Sequence, residues 1–146
     1  MKKSLYITSM VAGLISGVII GVFFKVIEMK TNVKVYTLLL NIDFIPILNR
    51  IHFSESIEFI FHLIVSILLT LILYVIVIYF VREKYEIAML IGLSVLVGIF
   101  IYPITNFSAR TPHIFSVQAI FWWLLGHFLY GIILSVLFKF YKKNYT

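Results

Sequence analysis

Residues 57–80 read IEFIFHLIVSILLTLILYVIVIYF, and this stretch decides the fold class. Almost every position is apolar, and the one formally charged side chain, Glu58, lies near its start. A helix needs roughly 20 consecutive, mostly apolar residues to cross the hydrocarbon core of a bilayer. The stretch is therefore long enough and apolar enough to predict a transmembrane helix.

Three further segments meet the same requirement. The four predicted spans are Leu5 to Ile27, Ile57 to Phe80, Ile87 to Phe107 and Val117 to Phe140. The 146 residues are 62% hydrophobic and only 12% charged, with a mean hydropathy of +1.10, whereas a soluble domain carries about 25% charged residues. So little charge could not cover a soluble surface. The sequence predicts an all-α fold: a single integral membrane domain with four transmembrane helices.

The long link between the first two spans contains VYTLLLNIDFIPIL, residues 35–48. This run is too short to span a bilayer. Its apolar positions share one face at helical spacing; they are Val35, Leu38, Leu39, Ile42 and Ile45. We expect an amphipathic helix that lies at the membrane interface and is stopped by Pro46. A loop packed over the helical bundle is the alternative.

The basic residues predict the orientation. Lys and Arg in short loops mark the cytoplasmic side of a membrane protein. With both termini inside, the inner side holds Lys2, Lys3, Arg82, Lys84, Lys139, Lys142 and Lys143. The outer side then holds the smaller set Lys30, Lys34, Arg50 and Arg110. Both termini are therefore predicted to be cytoplasmic, and the net charge of +6 is attributed to membrane orientation and not to nucleic-acid binding.

Small residues recur every four positions along the first span and form what we call the small-residue ridge: Ser9, Gly13, Gly17 and Gly21. Residues four apart share a helix face, and small ones let two backbones approach closely. The ridge predicts a helix–helix contact, either within the chain or in a homo-oligomer. Lys25 continues the ridge, and Glu28 one turn later is expected to pair with it at the membrane boundary.

The second span carries a polar ridge, also at intervals of four: Glu58, His62, Ser66, Thr70 and Tyr74. Such a ridge could relay protons, or its hydroxyls could simply bond back to the helix backbone. In the fourth span His127 lies beside Gly126 and one turn before Gly131. An imidazole left without hydrogen bonds in hydrocarbon costs a few kcal/mol, so we expect His127 to face another helix. Both a structural and a titrating role remain open.

No catalytic motif is found, and the chain has no cysteine. The expected function is therefore non-enzymatic, with no metal or other cofactor, and Lys25, Glu58, His62 and His127 are the candidate functional residues. Two alternatives from other classes are kept. One is a small oligomeric transporter or channel for protons or small solutes. The other is a haem-binding or redox subunit in which His62 and His127 ligate iron.

Three stretches, GLISGVIIGVFFKVIE, FHLIVSILLTLILYVIV and the region from YPITNFSARTPHIF to LLGHFLYG, resemble the YagU family of small bacterial inner-membrane proteins. The resemblance covers most of the four helices in order. It marks Gly13, Gly17, Lys25, His62, Pro103, Thr111, Pro112, Gly126 and His127.

The resemblance implies an inner-membrane location, a biochemical activity that is uncharacterised and a loose link to acid tolerance or envelope homeostasis. The sequence departs from the family pattern in two places. It has no Pro-Pro pair in the first outer loop, and no acidic residue just before the Gly126–His127 pair.

Overall fold

The computed structural model describes residues 2–43, 45, 51 and 53–145, with side chains placed for 5–43, 45, 51, 53–140, 142 and 143. The helices are α1 (Lys2–Thr31), α2 (Val35–Leu40), α3 (Glu55–Phe80), α4 (Glu86–Ile101) and α5 (Val117–Tyr145). Short 3-10 turns, Glu83–Tyr85 and Tyr102–Phe107, extend α4 at both ends. No strand occurs in the described residues.

The predicted all-α fold with four membrane-spanning helices is confirmed. The segments long and apolar enough to cross a bilayer are Leu5–Thr31, Glu55–Phe80, Glu83–Phe107 and Val117–Phe140. Because they alternate in direction, the start of α1, the end of α5 and the Val81–Glu86 hairpin lie at one end of the bundle, here called the hairpin end. The described residues of the links 32–54 and 108–116 lie at the other end, here called the loop end.

The small-residue ridge packs α1 against α3. A Cβ atom added at Gly13 would lie 2.6 Å from the Cα atom of Ile67, so the two backbones are nearly in contact there. At Gly17 an added Cβ would lie 2.9 Å from the hydroxyl of Ser66, and at Gly21 it would overlap the ring of Phe59. The predicted interface thus lies within a single chain.

Helix α5 packs against α1 on one side and α4 on the other. Gly126 accommodates the ring of Phe24 from α1, which also stacks on Trp123 at a centroid distance of 5.4 Å. Gly131 faces the backbone of α4 at Ile91. The two glycines therefore admit different neighbours, because they lie on different faces of α5.

Helices α3 and α4 are consecutive but touch each other far less than α1 touches α3 or α4 touches α5. A cavity lies between their loop-end halves, and side chains of α5 also line it.

The segment after α1 differs from the predicted long interfacial helix, because α2 ends at Leu40 and does not continue to Ile45. The backbone leaves the helix at Asn41, whose side-chain oxygen accepts a hydrogen bond from the amide of Asp43 at 3.2 Å. Such local side-chain bonds compete with continued helix. Val35, Leu38 and Leu40 are buried, so α2 packs on the bundle. Its position in the membrane interface stays a prediction, and Pro46 lies outside the described residues.

Candidate functional site

A cavity of about 300 Å³ lies between α3, α4 and α5. Its walls come mostly from apolar side chains of α3 and of the loop-end part of α4. The segment from Leu38 to Asn41, with Ile42 and Ile45, covers it at the loop end. The polar residues of its lining are Asn41, His62, Ser66, His127 and Tyr130. The two predicted histidines are thus brought to one cavity, although they belong to different helices.

His127 lies at the back of the cavity and is 9% exposed. Its Nδ1 atom is 3.0 Å from the carbonyl oxygen of Trp123. A carbonyl can only accept, so Nδ1 carries the proton, and Nε2 of the neutral ring is an acceptor. The ring rests on α4 at Gly98, where an added Cβ would lie 2.6 Å from Cγ of His127. His127 therefore faces another helix, as expected from the cost of exposing imidazole to lipid.

His62 contacts the small-residue ridge from α3. Its Nε2 lies 3.0 Å from the carbonyl oxygen of Gly17 and donates to it, which leaves Nδ1 as the acceptor. Gly17 has no side chain to cover its own carbonyl, so a side chain of the neighbouring helix α3 can reach that carbonyl. In the part of the chain that the structure describes, no hydrogen bond links His62 to Glu58 or to Ser66.

The middle of the polar ridge bonds to backbone and to Tyr130. Ser66 donates to the carbonyl of Gly13 at 2.7 Å, and Thr70 donates to the carbonyl of Ser66 at 2.8 Å. The Tyr130 hydroxyl donates to the Ser66 carbonyl at 3.0 Å and lies 2.9 Å from the Thr70 hydroxyl. This cluster ties α1, α3 and α5 together. Because its protons go to carbonyls, it stabilises the bundle and does not extend the polar ridge into a continuous relay.

Asn41 supplies a polar group that no described residue bonds. Asn41 is 5% exposed and lines the cavity, and its side-chain nitrogen has no hydrogen-bond partner in the part of the chain that the structure describes. A buried amide N–H without a partner costs free energy. The group is available to an acceptor that enters the cavity.

Glu58 does not belong to the cavity but to a loop-end cluster. Its carboxylate accepts two hydrogen bonds from the guanidinium of Arg110, at 3.0 and 3.3 Å. Asp43 lies 3.6 Å from the same guanidinium and accepts a hydrogen bond from Ser108 at 2.8 Å. The hydrogen bond to Glu58 raises the pKa of Arg110, so the guanidinium stays charged. This cluster joins the covering segment to α3 and to the link after α4.

The expected Lys25–Glu28 pair is wrong. Lys25 instead forms an ion pair with Glu55 at the start of α3. Glu28 accepts hydrogen bonds from the amide and the hydroxyl of Thr37, at 2.8 and 2.7 Å. A carboxylate at the first turn of a helix satisfies amides that have no partner within the helix. Glu28 therefore bonds to the first turn of α2, and Lys25 pairs with Glu55 of α3.

Tyr36 adds a third contact to the Lys25 cluster by donating to Glu55 at 3.0 Å. Burial, with the neighbouring Glu55 carboxylate, raises the pKa of Tyr36 to about 12, so the phenol keeps the proton that it donates. Lys25 and Glu58 thus hold the loop end together in two separate clusters. Of the four candidate functional residues, only His62 and His127 share a site.

The loop residues marked by the resemblance are not among the described residues that line the cavity. Pro103 lies in the 3-10 turn where α4 ends. Thr111 donates to the carbonyl of Thr105 at 2.9 Å and lies 3.0 Å from that of Ser108, which closes the link before Pro112.

Several residues of the site were not anticipated from the sequence: Asn41, Gly98, Arg110, Trp123 and Tyr130. Tyr130 lies one turn after His127 and could have been found by extending the face of that histidine. Gly98 could have been found as the α4 counterpart of the small-residue ridge. Nothing in the local sequence points to Arg110, since its partner is far away in the chain.

No group of three or more His, Cys, Asp or Glu residues able to hold a metal ion occurs in residues 2–43, 45, 51 and 53–145. The haem and transporter hypotheses stay predictions. Comparison of the chain with protein-family models, curated proteins and solved structures finds no match.

Proposed function

We propose that this multi-pass membrane protein is a non-enzymatic protein of the bacterial inner membrane that binds a small lipid-soluble molecule in the cavity between α3 and α4. The observation that supports the proposal is the opening of the cavity toward the lipid, here called its mouth. Ile64 and Val65 line the cavity, yet they are 48% and 57% exposed. Exposed apolar surface on a spanning helix faces lipid chains. A molecule dissolved in the bilayer can therefore enter sideways.

The lining favours binding over ion conduction. The described side chains of the lining include no Lys, Arg, Asp or Glu, and a charge without a partner inside a membrane is costly. The hydroxyls of Ser66, Thr70 and Tyr74 are bonded to backbone carbonyls. An apolar cavity with a few convergent polar groups is the usual form of a small-molecule site.

The location and the cellular role rest on the sequence. The excess of Lys and Arg at the hairpin end supports cytoplasmic termini. The resemblance to the YagU family supports the inner membrane and a role in acid tolerance or envelope homeostasis. In the proposed function that role is exerted through the ligand of the cavity.

Fluorescence of Trp123 tests binding. Trp123 lines the cavity and is 2% exposed, and the chain has two tryptophans. Trp122→Phe removes the other one without breaking a hydrogen bond, because the indole nitrogen of Trp122 is buried without a partner among the described residues. In nanodiscs of this variant, we expect bromododecane to quench Trp123 in a saturable manner, since bromine quenches tryptophan only at short range.

Val97→Phe in the Trp122→Phe background is the matched control. Val97 lines the cavity, and overfilling a packed site costs on the order of 1–3 kcal/mol, so quenching should need about tenfold more bromododecane. Quenching that does not saturate, or that is the same in the control, contradicts the proposed site.

Acid survival tests the role of His127. We expect His127→Gln to keep both protein level and survival after acid challenge, because glutamine can donate to the Trp123 carbonyl and still offer an acceptor. His127→Leu offers neither and should lose both. Normal level with lost survival in His127→Gln would show that the proton on the imidazole matters. A deletion strain that survives as well as the parent would refute the acid role.

A further inference from the structure

Three polar groups of the cavity lining have hydrogen-bonding capacity that the described residues leave unused. They are Nδ1 of His62, Nε2 of His127 and the side-chain nitrogen of Asn41. Each histidine donates its other nitrogen to a backbone carbonyl, so its remaining nitrogen is an acceptor. The Asn41 nitrogen is a donor, and it is buried without a partner among the described residues. Buried polar groups in proteins are almost always bonded, so the Asn41 nitrogen points to a missing partner, and the two imidazole acceptors line the same cavity.

From this arrangement we infer that the ligand of the cavity is an uncharged single-chain lipid with a hydroxyl head, such as a long-chain alcohol or a monoacylglycerol. The inference rests on the proposed function, because it names the chemical class of the molecule that the cavity binds.

The head group must be uncharged because nothing in the lining balances a charge. Among the residues that the structure describes, the lining contains no Lys, Arg, Asp or Glu. The charged groups of the neighbouring elements have partners elsewhere: Glu58 is bonded to Arg110, and Lys25 to Glu55. A phosphate or carboxylate head would lose its hydration without gaining a counter-ion, which is costly in a membrane interior.

The head group must carry a hydroxyl because two of the three unused groups are acceptors. A hydroxyl donates one hydrogen bond and accepts others, so it can donate to His62 or His127 while it accepts from Asn41. A ketone or ester head could satisfy Asn41 but would leave both imidazole acceptors unbonded. A hydrocarbon would satisfy none of the three groups.

The dimensions of the cavity favour one chain. A volume of about 300 Å³ is at the lower end for small-molecule sites, which span roughly 300–1,000 Å³. It accommodates a head group and the first part of one alkyl chain. The rest of the chain would leave through the mouth beside Ile64 and Val65, where the exposed wall is apolar.

Competition with bromododecane tests the head group. The Trp122→Phe protein in nanodiscs of phosphatidylethanolamine and phosphatidylglycerol is first quenched with bromododecane. Dodecanol, dodecane and dodecylphosphocholine are then compared as competitors at equal mole fraction in the bilayer. We expect dodecanol to restore fluorescence at about tenfold lower mole fraction than dodecane, the factor that corresponds to one buried hydrogen bond. Dodecylphosphocholine should be weaker than dodecanol.

Two variants assign that preference to the named groups. His127→Leu should narrow the tenfold difference between dodecanol and dodecane, because it removes one of the two imidazole acceptors, whereas His127→Gln should keep that difference, because it retains an acceptor. Asn41→Ala should also narrow the difference between dodecanol and dodecane. This variant tests the assignment if His127→Leu does not fold. Quenching by bromododecane reports in each variant that the cavity is intact.

The outcomes separate the two proposals. Equal competition by dodecanol and dodecane would overturn the hydroxyl head and leave the cavity as a binding site. Stronger competition by dodecylphosphocholine would overturn the uncharged head. A tenfold preference that persists in both His127→Leu and Asn41→Ala would overturn the assignment to these groups. Absence of quenching by bromododecane in the parent would refute the proposed function itself.

Discussion

Replacing Gly13 with alanine is expected to destabilise the protein by about 2–3 kcal/mol, since overpacking of a tight core contact typically costs 1–3 kcal/mol. The added methyl group would lie 2.6 Å from the Cα atom of Ile67 and 3.0 Å from the Ser66 carbonyl oxygen. These are backbone atoms, so no side-chain rotation can relieve the overlap, and α1 must move away from α3. That movement also stretches the hydrogen bond from Ser66 to the Gly13 carbonyl, now 2.7 Å long.

Gly92→Ala is the matched control, because the same substitution is made in a helix of the same bundle. A Cβ atom at Gly92 would meet nothing within 4 Å, so only helix propensity acts, and alanine gains about 0.5–1 kcal/mol there. Reversible unfolding in mixed micelles measures both variants. Equal stability of Gly13→Ala and Gly92→Ala would refute the close contact between α1 and α3.

Replacing Arg110 with leucine is expected to cause the second large loss of stability. Arg110→Leu leaves the carboxylate of Glu58, which is 6% exposed, buried without its cation. Removing one partner of a buried ion pair costs about 3–5 kcal/mol. Arg110 is itself 49% exposed, so water can partly replace it, and we expect a loss of about 2 kcal/mol, less than for a fully buried pair.

The double variant Glu58→Gln with Arg110→Leu distinguishes a buried charge from lost packing. Neutral glutamine needs no counter-ion, so adding it to Arg110→Leu should restore most of the lost stability in the same unfolding measurement. If the double variant is less stable than Arg110→Leu, the loss arises from packing of the arginine side chain, and the argument from charge fails.

The four long helices could be predicted from the sequence, because hydropathy accumulates along a continuous segment. The predicted fourth span, Val117 to Phe140, lies within α5. The small-residue ridge could be recognised as a contact surface for a similar reason, since residues four apart share a face of any helix. The partner of the ridge could not be predicted, because a face that favours close approach does not specify which helix approaches.

The ends of α2 and the pairing at the loop end were predicted poorly. Lys25 and Glu28 lie at a spacing that permits a pair within the helix, yet each contacts a residue that is distant in sequence. Similarly, the apolar spacing through Ile45 suggested a longer helix than Val35–Leu40. In both regions local preferences amount to a fraction of a kcal/mol, so tertiary contacts with the rest of the bundle outweigh them.

The sequence by itself determined that the chain is a bundle of four membrane-spanning helices, and that His127 must face protein and not lipid. Both follow from the cost of exposing charge or unpaired polar groups to hydrocarbon, a cost that depends on residue type and depth alone. Only the tertiary structure decided that His62 and His127 share one cavity, that Glu58 is held away from it by Arg110, and that α3 and α4 separate to form its mouth. These features depend on how the helices are rotated and aligned against each other, and contacts such as Gly13 with Ile67 and Gly98 with His127 fix that arrangement. No local sequence pattern encodes which distant surfaces will meet.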